Sequence, residues 1–133
     1  MKIHGGCHCG KVSFTAEIDP ARVSICHCTD CQHLSGSPFR ASVPATIGQF
    51  SLQGTTKTYI KTAENGNRRA QVFCPECGTA LYATDPVKPE IMMLRLGAIA
   101  ERRELAPARQ IWRRSALPWV DHIGDLPAIA GQP

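Results

Sequence analysis

The sequence has few aromatic residues and no long apolar run. Phenylalanine, tryptophan and tyrosine make up 6% of the 133 residues, which leaves few platforms on which nucleic-acid bases could stack. The net charge of +4 comes from basic residues that acids interrupt along the chain, which is not the pattern of a phosphate-tracking stripe. No apolar run approaches the ~20 residues that a membrane-spanning helix needs. We therefore expect neither nucleic acid nor a membrane among the partners of this protein.

Two further patterns are missing. We find no carboxylate–histidine–serine arrangement that would indicate a hydrolase triad. Residues 1–6 lack the apolar region of a signal peptide, and the cysteines begin immediately after them. These features predict a cytoplasmic protein, a compartment in which thiols stay reduced.

Short alternating segments and scattered turn residues predict a mainly β fold in one domain that spans residues 1–133. There are 10 prolines and 11 glycines, and no helical period runs for long. The predicted strands are 12–18, 39–43, 50–52, 56–60, 71–73, 80–82, 90–96 and 110–112.

Several boundaries follow from local sequence. Pro44 predicts the end of the second strand because proline cannot donate to a ladder, Gly54 predicts a hairpin, and Asn65-Gly66 is a strong turn signal. Three other segments are assigned more loosely. Residues 26–36 are predicted to form a loop with room for one helical turn, residues 99–105 a short helix, and residues 117–133 an irregular C-terminal segment.

The seven cysteines fall into tight clusters, and their odd number disfavours a disulfide framework. Cys74 and Cys77 form a C-x-x-C zinc knuckle, and Cys7 and Cys9 form a C-x-C pair whose side chains share one face of an extended segment. Each pair is followed by a glycine. We predict a closed structural zinc site of these four thiolates; disulfides or unliganded core cysteines are the alternatives.

Cys26, Cys28 and Cys31 remain, three thiolates within six residues. A zinc ion with three protein ligands keeps its fourth position for water or substrate, so these cysteines predict a second, catalytic zinc site. Two alternatives stay open: a second structural zinc completed by His27 or His33, and a metal-free redox cluster. His27 lies between two ligand cysteines, as His8 does, and should point away from the metal.

Two arginines and two tryptophans also stand out in the sequence. Arg40 and Arg69 could pair with a substrate carboxylate, although a solvated arginine is the commoner case. Trp112 and Trp119 are predicted to pack in the core or at its edge.

The cysteine motifs resemble those of the glutathione-dependent formaldehyde-activating enzyme family. The matching segments occur in the same order and cover most of the chain: Gly5 to Val12, Cys26 to Gln32 with Ser35-Gly36, Arg69 with Phe73 to Leu81, and Gln110 to Trp112 with Pro118-Trp119. The resemblance implies a β-tent of packed antiparallel sheets with zinc-binding knuckles (the Mss4-like fold).

The resemblance also implies a function. It assigns Cys7, Cys9, Cys74 and Cys77 to a structural zinc, and Cys26, Cys28 and Cys31 to the active site. The implied activity is that of a carbon–sulfur lyase which joins formaldehyde to glutathione, giving S-hydroxymethylglutathione, with two zinc ions per chain. The alternative from another class is a non-enzymatic zinc module that binds a protein partner, because one fold serves many functions.

Overall fold

Residues 1–133 of the chain are described by a computed structural model with ten strands, one α-helix and six short 3₁₀ segments. The strands are β1 Lys2–Gly6, β2 Ser13–Glu17, β3 Ser24–Cys26, β4 Arg40–Thr46, β5 Phe50–Gln53, β6 Lys57–Thr62, β7 Arg68–Phe73, β8 Ala80–Thr84, β9 Ile91–Arg95 and β10 Arg109–Ile111. The α-helix, α1, is Thr29–Ser35. The 3₁₀ segments are Pro20–Arg22, Ile47–Gln49, Leu96–Ala98, Arg102–Glu104, Arg113–Ser115 and Pro118–Asp125. None of these helices has the length and apolar character needed to cross a bilayer.

The strands form two sheets. The smaller has the order β1-β2-β5, and the larger has the order β10-β3-β4-β9-β8-β7-β6. Every pairing is antiparallel except that of β10 with β3, which is parallel. The mainly β fold of antiparallel sheets with cysteine knuckles confirms the predicted fold class.

The core lies between the two sheets and contains 16 buried residues. Strand β2 shows how the sequence produces it: Phe14 and Ala16 are buried, while the residues between and beside them are exposed. Val43 and Leu94 bring the larger sheet into the same cluster, and both are fully buried. Cys7 and Cys74 are members of this cluster too, so one cysteine site is built against the core.

Two predictions made from single residues, at Pro44 and at Gly54, are wrong. Pro44 lies inside β4, opposite Met93 of β9. Strand β3 pairs only with residues 40–42 of β4, so Pro44 sits beyond the end of that ladder, where no donor is needed. Gly54 does not form a hairpin, because β5 pairs with β2 of the smaller sheet while β6 pairs with β7 of the larger. The segment around Gly54 therefore carries the chain from one sheet to the other.

The helical predictions need correction as well. The segment after Cys26 contains the seven-residue helix α1 rather than a loop with one turn. Residues 99–105 contain only the 3₁₀ segment Arg102–Glu104. Residues 117–133, predicted to be irregular, contain the 3₁₀ segment Pro118–Asp125 and no strand. The predicted turn at Asn65-Gly66 joins β6 to β7.

Gly54→Ala is expected to be strongly destabilising, because Gly54 has a φ of 101° and a Cβ there would overlap the carbonyl oxygen of Lys11. We expect a loss of about 3 kcal/mol in the free energy of unfolding. The matched control is Gly66→Ala, with a φ of 84° and no atom within 4 Å of the added Cβ, which should cost about 1–2 kcal/mol. Denaturant unfolding measures both variants, and equal losses would show that the approach to Lys11 is unimportant.

Candidate metal centres

The four-cysteine cluster, Cys7, Cys9, Cys74 and Cys77, brings together two hairpin-like turns from different sheets. Its four sulfur atoms lie within 4.8 Å of one another. The Cys7 and Cys9 sulfurs are 3.5 Å apart, and those of Cys9 and Cys74 are 3.7 Å apart. A tetrahedron of zinc–sulfur bonds about 2.3 Å long would place its ligands roughly 3.8 Å apart. The spacing of the four sulfurs therefore fits a tetrahedrally coordinated zinc ion.

Hydrogen bonds favour the thiolate form of Cys7 and Cys77 in this cluster. The backbone N–H of Val12 donates to the Cys7 sulfur at 3.2 Å. The Thr79 hydroxyl lies 3.2 Å from the Cys77 sulfur, and this bond, followed by bonds from the backbone of Thr79 and Cys9, lowers the pKa of Cys77 to about 5. Thr79 also accepts a hydrogen bond from the backbone N–H of His8 at 3.0 Å, which ties the two turns together. His8 itself is exposed.

The second cluster, which we call the cysteine trio, comprises Cys26, Cys28 and Cys31. Cys26 ends β3, Cys28 is the N-cap of α1, and Cys31 lies in the first turn of that helix. The Cys28 sulfur accepts the backbone N–H of Cys31 at 3.2 Å, as a capping side chain does. The three sulfurs lie within 4.8 Å of one another, and all three residues are half-buried. The end of β3 and the start of α1 thus bring three soft sulfur ligands close together.

The three cysteines of the trio shift one another's pKa values. A hydrogen bond from Cys31 lowers the pKa of Cys26. Burial, and then Cys31, raises the pKa of Cys28, and the bond to Cys26, with burial, raises the pKa of Cys31. Three like charges so close together disfavour one another. A bound dication would remove this conflict, so the donor set fits a metal ion.

Neither candidate histidine completes the trio. The fully buried His27 turns away from it: its Nε2–H donates to Oε1 of Gln110 at 2.8 Å, and its ring packs edge-on against Phe39. His33 is exposed on α1. The cluster of possible ligands consists of the three cysteines alone.

Residues between β10 and Trp119 lie beside the trio. Strand β10 pairs with β3 directly beside Cys26. The Gln32 side chain donates to the carbonyl oxygens of His27 and Ser115 at 2.9 Å and 3.0 Å. Trp112 and Trp119 were expected in the core or at its edge, but they are 48% and 53% exposed. Trp119 instead lines an open cleft of about 580 Å³ beside α1, together with Gln32 and His33.

Arg40 and Arg95 form a buried pair near the trio that was not predicted from the sequence. Arg40 lies directly opposite Cys26 in the β3–β4 pairing, and it is 8% exposed, contrary to the expectation of a solvated side chain. Arg95 of β9 is 9% exposed. Gln71 accepts hydrogen bonds from both guanidinium groups, at 3.3 Å from Arg40 and 2.8 Å from Arg95. Arg69, the other candidate, is half-buried.

Comparison with known proteins places the chain in a family. The sequence model of the family described as "Glutathione-dependent formaldehyde-activating enzyme" matches residues 2–115. The chain belongs to this family. The motif resemblance described above is therefore confirmed, and the matched range contains both cysteine clusters.

Individual relatives are distant. A Halomonas elongata protein named "Putative glutathione-dependent formaldehyde-activating enzyme" is 29% identical over 130 residues, 91% of this chain and 81% of that protein. A Schizosaccharomyces pombe protein named as an uncharacterized lyase is 33% identical over 84 residues, 59% of this chain and only 54% of the yeast protein. A Rhodobacter sphaeroides protein of known crystal structure has a TM-score of 0.61 at 20% identity, covering 83% of this chain and 99% of that one. This last similarity supports the fold alone.

Proposed function

We propose that the protein is a zinc-dependent enzyme of the carbon–sulfur lyase type, which joins a small thiol to an aldehyde at the cysteine trio. Glutathione and formaldehyde are the proposed substrates, as the family's description indicates. The observation that carries the proposal is the convergence of three half-buried sulfurs, with no fourth protein ligand in the cluster. Three ligands are the number that catalytic zinc sites use, whereas structural sites use four.

The two clusters would then have different roles. Cys7, Cys9, Cys74 and Cys77 would hold a structural zinc ion, because four thiolates leave no open position. Cys26, Cys28 and Cys31 would hold the second ion. When bound there, zinc would supply a fourth coordination position that favours sulfur and keeps a thiol deprotonated at neutral pH.

The residues of the chain would do the rest. Cys28 is fixed by its bond to the Cys31 backbone, and Cys26 is fixed by strand pairing on both sides, so the three sulfurs are held before substrate arrives. A substrate thiolate beside them would be a ready nucleophile for the carbonyl carbon of a small aldehyde. The new carbon–sulfur bond leaves an alkoxide, which takes a proton from water to give the hydroxymethyl product.

Calorimetric titration of zinc-loaded protein with glutathione and with S-methylglutathione tests this proposal. The methylated compound keeps the peptide but cannot form a thiolate. We expect glutathione to bind at least about tenfold more tightly, because only a thiolate is a strong ligand for the open position. Equal affinity for the two would show that sulfur does not meet the metal. Binding of neither would contradict the proposed enzyme and favour the zinc module that binds a protein partner.

A further inference from the structure

Arg40 and Arg95 form a buried cation pair without an acidic partner. Both are more than nine-tenths buried, and neither takes part in any ion pair of the structure. Their hydrogen bonds go to neutral oxygens: to Gln71 from both, and to the Ser42 hydroxyl at 3.0 Å from Arg95. Burying one unpaired charge is costly, and burying two adjacent like charges costs more. A nearby negative charge is therefore needed.

Two acids on neighbouring elements have other partners: Asp30 lies on α1, which contacts β4, and Asp85 follows β8, which pairs with β9. Asp30 of α1 pairs with Lys61 at 2.9 Å. The Asp85 carboxylate accepts the backbone N–H groups of Val87 and Lys88, each at 2.8 Å. Neither acid forms an ion pair with Arg40 or Arg95.

The pair shares one face of the sheet with Cys26 of the trio, whose thiolates would supply negative charge when a metal is bound. Arg40 and Cys26 are directly opposed across β3 and β4, so their side chains leave the same face of the sheet with Cβ atoms about 5 Å apart. Ser42, two residues along β4, is opposed to Arg95, which places Arg95 on that face as well. Burial first, and then Arg40, lowers the pKa of Arg95 to about 9, while Cys31 and Cys26 act in the opposite direction. The Arg95 guanidinium therefore carries its charge at neutral pH.

Charge balance gives the pair a role. A dication held by three thiolates has one net negative charge, so a fourth, anionic ligand would bind against repulsion. The two guanidinium groups make the net charge of the centre positive, and an anionic fourth ligand then makes that net charge zero. We propose that Arg40 and Arg95 are specificity-determining residues that make the trio's metal centre select an anionic fourth ligand, such as a thiolate, over a neutral one. This inference rests on the proposed metal site at the trio.

Cobalt-loaded protein tests the inference without using activity. Azide serves as the anionic probe and imidazole as the neutral one, and visible absorption follows the binding of each. The four-cysteine cluster has no open position, so added ligands report on the trio. We expect Arg40→Met and Arg95→Met each to raise the dissociation constant for azide by about tenfold, as the loss of a nearby charge in a protein interior implies. The constant for imidazole should change by less than about twofold.

Two further variants separate charge from structure. Arg95→Lys keeps a cation and should return azide binding toward that of the wild type. Arg103→Met removes the charge of an exposed arginine in the segment Arg102–Glu104 and should change neither constant. If one of the two methionine variants does not fold, the other carries the comparison.

The inference is overturned if azide affinity is unchanged in the methionine variants that retain cobalt, or if azide and imidazole weaken equally. Its failure is distinct from failure of the proposed function. Arginine-dependent azide binding in a protein that shows no spectral response to glutathione would support the inference and contradict the proposed substrate.

Discussion

Replacing Cys74 by serine is expected to yield insoluble or unfolded protein. Cys74 is fully buried and belongs to the core cluster, and its sulfur is one of four that fit a tetrahedral zinc. Structural zinc in finger peptides contributes an apparent ~10–16 kcal/mol, which is comparable with the ~5–15 kcal/mol stability of a whole domain. Losing one ligand should therefore remove most of the free energy of unfolding. Soluble yield, zinc content and thermal melting by circular dichroism measure the effect.

A chelator gives an independent check on the same prediction. A strong zinc chelator added to wild-type protein should unfold it as the substitution does, because folding and metal binding are coupled in such sites. Soluble Cys74→Ser protein that melts at the wild-type temperature would show that the four-cysteine cluster does not hold the fold together.

Cys28→Ser is expected to leave a folded protein that has lost its second metal and its affinity for glutathione. The trio lies outside the core cluster, so the fold should not depend on it. Serine is also a favoured N-cap residue, so the hydroxyl can take over the capping bond that the Cys28 sulfur makes. A serine hydroxyl is nevertheless a far poorer ligand for zinc than a thiolate. We expect about one zinc per chain by metal analysis, with a melting temperature close to that of the wild type.

The comparison with Cys74→Ser makes this result informative, because both variants exchange one sulfur for one oxygen. Unfolding of Cys28→Ser to the same extent would mean that the second site is structural and would weaken the enzyme proposal. Retention of two zinc ions with unchanged glutathione binding would mean that Cys28 is not a ligand.

The cysteine clusters were predictable because their information is local. A C-x-C or C-x-x-C spacing followed by glycine already presents two sulfurs together, and the three cysteines of the trio need only a strand end and one helical turn. The zinc ligation itself stays a prediction. The mainly β fold was equally visible in segments such as β2, where burial alternates strictly.

What the sequence did not predict depends on contacts between distant residues. The failed hairpin at Gly54 reflects the pairing of β5 with β2, which local alternation cannot distinguish from pairing with β6. Arg40 resembles any surface arginine until β9 and β7 bring Arg95 and Gln71 beside it. Exposure of Trp112 likewise depends on how the last segment lies over α1 and β3, which composition does not determine.

The two clusters differ in the length of chain that each must close, and this sets an order of assembly. The sulfurs of Cys9 and Cys74 are 65 residues apart in the chain, whereas the trio is complete within the segment from Cys26 to Cys31. During synthesis the trio can meet metal early, while the four-cysteine cluster waits until Cys77 has left the ribosome. A metal ion that closes so long a loop removes about 2 kcal/mol more conformational entropy from the unfolded chain than one that closes the short trio segment. The metal that arrives last would therefore contribute most to locking the two sheets together.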